Sequence, residues 1–285
     1  MHRASLAALL LLLVLLLSRD GAARHAVAAI FVGDFETGSY APWNAQCSNT
    51  GYADDSTTDF GPISVVKGMG GQGTYAAEFQ LPANGAIKQR CQVITSRTVN
   101  LGGDDYYSLM FDVPAGGFQP GTSSWGPQIA ELDFQNLYNG PTLALAAKAD
   151  HVTLILRTGR ACASANPPIQ YNSNADAGGN LPPLYAIPRG ELVPGWHELV
   201  IHAHWAADST GRVEIWHRLK GQTGWTKTVD FGGYPTLESS CSGSVPTKTL
   251  DVLQAYRGPS YAPLTVYLDG FTRTTSFAAA AAELP

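Results

Sequence analysis

Strand-sized runs of apolar and β-branched residues, separated by turn-forming residues, recur through most of the chain. The chain contains 30 Gly and 18 Pro, and many of these residues lie between the runs. Helical periodicity is nearly absent beyond the N-terminal segment, so the pattern predicts an all-β protein. The predicted strands are Ile63–Lys67, Tyr75–Gln80, Ala86–Val93, Tyr106–Val113, Gln128–Phe134, Thr142–Ala147, His151–Arg157, Trp196–Trp205, Arg212–Lys220, Leu250–Tyr256 and Leu264–Phe271.

The clearest hairpin is predicted between Trp196–Trp205 and Arg212–Arg218, which the turn residues Asp208–Gly211 separate. Side chains of a strand alternate between its two faces. One face of the first strand carries Leu199, Ile201, Ala203 and Trp205, and the other carries Val200, His202 and His204. Strands with such alternation predict an antiparallel two-sheet β-jelly-roll sandwich of the concanavalin-like kind, with a concave groove for an extended polymer.

The N-terminus has the pattern of a secretory signal. Arg3 precedes the apolar run Leu6–Leu17, which is shorter than the roughly twenty residues a membrane-spanning helix needs. Small residues before Ile30 suit a cleavage site. We therefore expect a signal peptide at 1–28, one domain at 29–278 and a short tail at 279–285. The mature chain is expected to be extracellular and monomeric, without membrane insertion.

The charge balance limits the partners. Without residues 1–28 the chain has 15 basic and 22 acidic residues, a net charge of −7. Such a chain has no overall positive electrostatic field that would attract nucleic acid or an anionic membrane surface. A polyanionic ligand would have to be held by a local basic cleft.

Four cysteines lie beyond the predicted signal peptide, and an even number in an exported chain favours two disulfides. Three pairings are possible, of which we favour Cys47–Cys91 and Cys162–Cys241. A zinc site is the alternative, but the cysteines lack the usual CxxC spacing.

Several segments, taken together, resemble the secreted polysaccharide lyases of the heparin lyase I and glucuronan lyase type. These segments are Gly33–Gly38 with Trp43, Lys88–Gln92, Trp125–Asp133, Pro141–Leu145, Gly195–Trp205, Gly211–Trp216, Ala255–Gly258 and Val266–Gly270. The resemblance implies a jelly roll that cleaves an acidic, uronate-containing polysaccharide by β-elimination. This reaction requires a partner that neutralises the uronate carboxylate, a base for the adjacent proton and an acid for the leaving oxygen.

Tyr256 and Arg90 are the candidate catalytic residues. Tyr256 matches the tyrosine of the family's Lys-x-Gly-x-Tyr segment, although the lysine is missing here. Roughly one free tyrosine in a thousand is ionised at neutral pH, and a nearby cation favours the phenolate. Arg90 matches the family's Arg-x-Glu strand, with Gln92 in place of the glutamate and on the same strand face. The alternatives are an ordinary strand aromatic and a salt-bridged arginine.

The residues expected to bind substrate are Gln92, Gln128, Glu131, Asp133, His202 and Arg257. Glu131 and Asp133 stand where the family has Gln and His, and two carboxylates repel a polyuronate unless they are protonated or paired. Because both lie on one strand face, a glycoside hydrolase using this carboxylate pair is one alternative function. A noncatalytic carbohydrate-binding protein, with Trp and Tyr side chains stacked on sugars, is another.

A structural calcium ion is also predicted. Asp34 and Glu36 lie in the strand-like sequence that begins at Ile30, and Asp269 lies on the last predicted strand, so oxygen ligands from both would tie the chain ends together. The alternative is solvated carboxylates at strand ends. No organic cofactor is expected.

Overall fold

A computed structural model of the chain describes residues 29–45, 58–60, 62–83, 88–118, 128–134, 142–161, 170–173, 179–240, 242–260 and 262–285. The strands are β1 (Phe31–Gly33), β2 (Asn44–Ala45), β3 (Thr58–Phe60), β4 (Ile63–Lys67), β5 (Tyr75–Leu81), β6 (Lys88–Thr98), β7 (Asp104–Val113), β8 (Gln128–Phe134), β9 (Leu143–Ala147), β10 (Val152–Ala161), β11 (Gln170–Asn172), β12 (Leu184–Ile187), β13 (Gly195–His204), β14 (Arg212–Leu219), β15 (Thr226–Gly232), β16 (Glu238–Ser240), β17 (Lys248–Arg257) and β18 (Leu264–Thr274). A helix, α1, spans Phe277–Ala282.

Within these residues the strands form two sheets. The first sheet has the order β15-β14-β13-β7-β18-β5-β4, and β1 also pairs with β18. The second sheet has the order β11-β10-β9-β8-β17-β6-β2, with β12 and β16 paired to β10 and β3 paired to β6. The pairings are antiparallel except for those of β10 with β16 and of β3 with β6.

One hydrophobic core lies between the inner faces of the two sheets. Leu109 and Leu199 of the first sheet and Val93 and Leu253 of the second sheet belong to it. Trp205, at the end of the alternating apolar face predicted for β13, is fully buried there. The predicted all-β sandwich is therefore confirmed, because alternate residues of both sheets supply one shared core.

All eleven predicted strands are present, and β4 and β8 match their predictions at both ends. The predicted hairpin is formed by β13 and β14, with His204 opposite Arg212. Short pairing strands such as β2, β3, β11 and β16 were not predicted. They contain two or three residues, which is too few to show an alternation of polar and apolar side chains in the sequence.

The C-terminal residues after β18 pack on the first sheet. Ser276 caps α1 by accepting a hydrogen bond from the backbone N–H of Ala279. Ala280 and Leu284 are buried against Met110 and Val200 on the outer face of the first sheet. The C-terminal segment is thus a packed part of the domain.

A buried ionic cluster links the two sheets inside the core. The Arg97 guanidinium, on β6, contacts Asp251 of the same sheet at 2.9 Å and Asp105 of the first sheet at 3.1 Å. Trp205 donates its indole N–H to Asp105. Each buried charge therefore has an opposite partner, as its removal from water requires.

Some predictions concern residues that the structure does not describe. The predicted signal peptide lies outside the described residues, as do Cys47, Cys162 and Cys241. Cys91 is disulfide-bonded, but both favoured pairings stay predictions. Among the described residues, no helix combines the length and the apolar character needed to span a membrane.

Candidate active site

Arg90 and Tyr256 lie side by side on the outer face of the second sheet. They are direct cross-strand partners on β6 and β17, and directly opposed residues project from the same face. The Arg90 guanidinium carbon lies 5.7 Å from the centre of the Tyr256 ring. Both side chains are partly exposed. A cation and a phenol therefore meet at a surface that solvent reaches.

Gln128 extends this pair into a row across three strands. On β8, Gln128 is the cross-strand partner of Tyr256, which places the phenol between the guanidinium and an amide. Gln92, two residues after Arg90, lies opposite Gln254, two residues before Tyr256. The Gln254 amide nitrogen donates to the Gln128 side-chain oxygen at 3.4 Å. We call Arg90, Gln92, Gln128, Gln254 and Tyr256 the polar row.

Such a row suits an anionic sugar. Arginine offers up to five N–H donors and glutamine offers two, so Arg90 and Gln128 beside Tyr256 can donate to a carboxylate. The tyrosine hydroxyl can donate a proton or, once ionised, accept one. The row therefore combines carboxylate recognition with a group for proton transfer.

Gln254 was not among the predicted site residues. The signal was present in the sequence, since Gln254 shares a strand face with Tyr256 by the alternation of β17. Its importance depends on the pairing of β17 with both β6 and β8, which the sequence does not reveal.

Arg257, a predicted substrate-binding residue, lies apart from the polar row. It points to the opposite side of β17 from Tyr256 and is fully buried. It donates to the Gln89 side chain at 3.0 Å and to the carbonyl oxygens of Pro82 and Ala262. Burial lowers the pKa of Arg257 to about 10. This arginine holds neighbouring segments together and does not reach a sugar bound over the polar row.

His202, another predicted substrate-binding residue, belongs to the other sheet. It lies on the outer face of the first sheet, on the opposite surface of the sandwich from Tyr256. Its ring bridges two carboxylates, with Asp104 at 2.8 Å and Glu214 at 2.7 Å. It also stacks on Tyr106, with ring centres 4.4 Å apart. The His202 ring is therefore held by groups of the first sheet and does not lie beside the polar row.

Glu131 and Asp133 are placed only by their backbones. On β17, Val252 is the partner of Glu131 and Leu250 is the partner of Asp133. The side chains of both acidic residues lie outside the described part of the structure, so their predicted roles stay predictions.

The predicted calcium ligands are held by backbone groups. Asp269 is buried and accepts N–H donors from Gln72 at 2.8 Å and Gly270 at 2.7 Å, and burial raises its pKa to about 7. Glu36 accepts two backbone N–H groups at the start of β5, and Asp34 accepts the N–H of Glu36. The described residues contain no group of three or more His, Cys, Asp or Glu that could hold a metal. The calcium ion stays a prediction.

The comparison with protein-family models identifies the family of this chain. The family model described as polysaccharide lyase matches residues 35–232, so the chain belongs to the polysaccharide lyase family. No curated protein sequence matches the chain.

The glucuronan lyase among the matching solved structures shares the fold. The endo-β-1,4-glucuronan lyase of the fungus Trichoderma reesei matches with a TM-score of 0.65 and 16% identity, covering 89% of this chain and 98% of that chain. The marine PL-14 alginate lyase of Aplysia kurodai matches with a TM-score of 0.48 and 11% identity, covering 75% and 87%. A glycoside hydrolase family 131 catalytic domain from Coprinopsis cinerea matches with a TM-score of 0.47 and 10% identity, covering 87% and 95%.

Proposed function

We propose that this polysaccharide lyase is a secreted enzyme that cleaves a uronate-containing polysaccharide by β-elimination at the polar row. The observation that carries the proposal is the placement of the Arg90 guanidinium 5.7 Å from the Tyr256 ring on a partly exposed sheet face. The fold shared with a glucuronan lyase is compatible with this substrate class.

Arg90 and Gln128 bind the carboxylate of the reacting uronate in this proposal. They flank Tyr256 on the two neighbouring strands, so a carboxylate above the phenol can accept hydrogen bonds from both sides. These bonds strengthen as negative charge moves onto the carboxylate in the transition state. The proton next to the carboxylate thereby becomes easier to remove.

Tyr256 transfers the protons. As a phenolate, stabilised by the Arg90 charge, it takes the proton from C5 of the uronate. The electrons of that bond form the C4–C5 double bond, and the C4–oxygen bond breaks. The phenol then returns its proton to the leaving oxygen. The products are one chain with an unsaturated end and one with a free hydroxyl.

Secretion is supported by the N-terminal sequence. A basic residue followed by a short apolar run and small residues is the pattern of an export signal. The disulfide at Cys91 suits an oxidising compartment.

A panel of polyuronates tests the function. The purified chain is incubated with glucuronan, alginate and a glycosaminoglycan, and ultraviolet absorbance and reducing ends are measured together. Elimination raises both signals. Reducing ends without absorbance would indicate a hydrolase, and binding without either signal would indicate a noncatalytic module. Neither signal with any polymer, from folded protein, contradicts the proposal.

A further inference from the structure

Gln254 is the most deeply buried amide of the polar row. Its side chain is fully buried, although it lies on the same strand face as the partly exposed Tyr256. Its nitrogen donates to the Gln128 oxygen at 3.4 Å. Its own oxygen is buried and has no hydrogen-bond partner among the described residues. Among the described residues, Gln128 is the hydrogen-bond partner of this side chain.

The two amides constrain each other's orientation. When the Gln254 nitrogen donates, Gln128 must present its oxygen to Gln254 and turn its nitrogen away. The atom left buried without a partner is then a carbonyl oxygen, which proteins tolerate better than an orphaned N–H group. The Gln128 nitrogen is thereby left as a donor beside Tyr256.

This orientation matters for an anionic ligand. An ionised carboxylate only accepts hydrogen bonds, so a glutamine helps to bind it only through its nitrogen. A Gln128 amide turned the other way would direct its oxygen at the carboxylate and repel it. The same side chain therefore favours or opposes a uronate according to its orientation.

We propose that Gln254 is a positioning residue that holds the Gln128 amide with its nitrogen toward the uronate carboxylate. This inference rests on the proposed function. Gln254 does not touch the substrate, since it has no exposed surface. It acts through Gln128.

The substitution Gln254→Glu tests the proposal. When the introduced carboxyl group is ionised it has no donor, so it reverses the Gln128 amide and directs the oxygen at the substrate. When the introduced group is protonated, it can again donate to the Gln128 oxygen. Relative to the wild type, kcat/KM of Gln254→Glu should fall about 10- to 100-fold once the new side chain is ionised. The loss should shrink as pH falls across roughly pH 9 to 5, where a buried glutamate titrates.

Two further variants complete the experiment. Gln80→Glu makes the same chemical change at an exposed position of the first sheet and should keep the wild-type pH profile. Gln254→Met removes the donor without adding charge, and should lower kcat/KM at every pH. If Gln254→Glu does not fold, Gln254→Met alone tests the proposal. A kcat/KM of Gln254→Met equal to that of the wild type overturns it.

The possible failures are distinguishable. A wild-type protein that makes no unsaturated product on any polyuronate contradicts the proposed function itself. An active wild type with a Gln254→Glu variant that matches it at all pH values overturns only the positioning role. A loss that is equal at every pH also overturns it, because general damage to the site does not follow the ionisation of one residue.

Discussion

Arg90 lies directly opposite Tyr256 across the β6–β17 pairing, with its guanidinium carbon 5.7 Å from the phenol ring centre. The two residues are far apart in sequence, and only the sheet brings them together. Their neighbour Gln128 completes a row in which each group suits one requirement of uronate elimination. Substitutions in that row, and in the core that holds it, have distinct expected outcomes.

Two substitutions of Arg90 should separate the effect of its charge on catalysis from the effect of its hydrogen bonds. Arg90→Gln keeps donors but removes the charge, and kcat should fall about 100- to 1000-fold because the transition-state carboxylate loses its cation. Arg90→Lys should retain more activity than Arg90→Gln but less than the wild type, because lysine cannot bind a carboxylate with a planar fork. Steady-state kinetics on the best polyuronate measures both.

The matched control is Arg189→Gln, since Arg189 is exposed and belongs to neither β6 nor β17. It should leave kcat and KM unchanged. Equal activity of Arg90→Gln and the wild type would remove Arg90 from the mechanism.

The buried arginine of the core should be essential for stability. Arg97→Met leaves Asp105 and Asp251 buried without their cation, and should lower the free energy of unfolding by about 3 to 5 kcal/mol. Urea unfolding followed by tryptophan fluorescence measures the difference. Asp208→Asn, at an exposed turn, serves as the reference and should lower the free energy of unfolding much less. A loss below about 1 kcal/mol for Arg97→Met would mean that the cluster contributes little.

A stacked histidine pair should make stability depend on pH. His197 donates to the Val193 carbonyl, and its Nδ1 lies 2.9 Å from His217 Nε2, a bond in which one of the two rings must accept through an unprotonated nitrogen. Burial, together with the neighbouring His197, lowers the pKa of His217 to about 4, below its unfolded value near 6.5. The unfolded state therefore binds more protons between these values. Stability is complete above about pH 6.5 and falls toward pH 4, by at most about 3 kcal/mol.

His217→Gln isolates this effect, because the amide can donate to His197 but does not titrate. Urea unfolding between pH 4 and pH 7 should show a shallower pH dependence for the variant. Asp269, whose pKa is raised to about 7, acts in the opposite direction but is common to both proteins. Parallel curves for the two proteins would contradict the assignment to His217.

The sequence predicted which residues share a strand face but not which strands are neighbours. Alternation correctly separated Arg90 and Gln92 from Cys91, which is buried in the core. The same rule, applied to Tyr256 and Arg257, would have placed the second arginine inside the sandwich, where the structure finds it. The separation of His202 from Tyr256 could not be predicted, because a period of two does not tell which sheet a strand joins.

The helix α1 shows a second limit of prediction from sequence. The run of alanines after Phe277 has high helix propensity, and Ser276 is a good N-cap residue. So short a segment is unstable alone, and its packing on Met110 and Val200 is a tertiary effect. Gln254 was missed for a similar reason, because its bond to Gln128 joins residues from distant parts of the chain.

The most direct test of the central claim compares the wild type with Tyr256→Phe on a polyuronate that the wild type cleaves. The variant keeps the ring but loses the proton-transferring hydroxyl, so unsaturated product should form at least about 100-fold more slowly while substrate binding is retained. Tyr75→Phe, on β5 of the first sheet, should remain fully active. Unsaturated product at the wild-type rate from folded Tyr256→Phe would contradict the account.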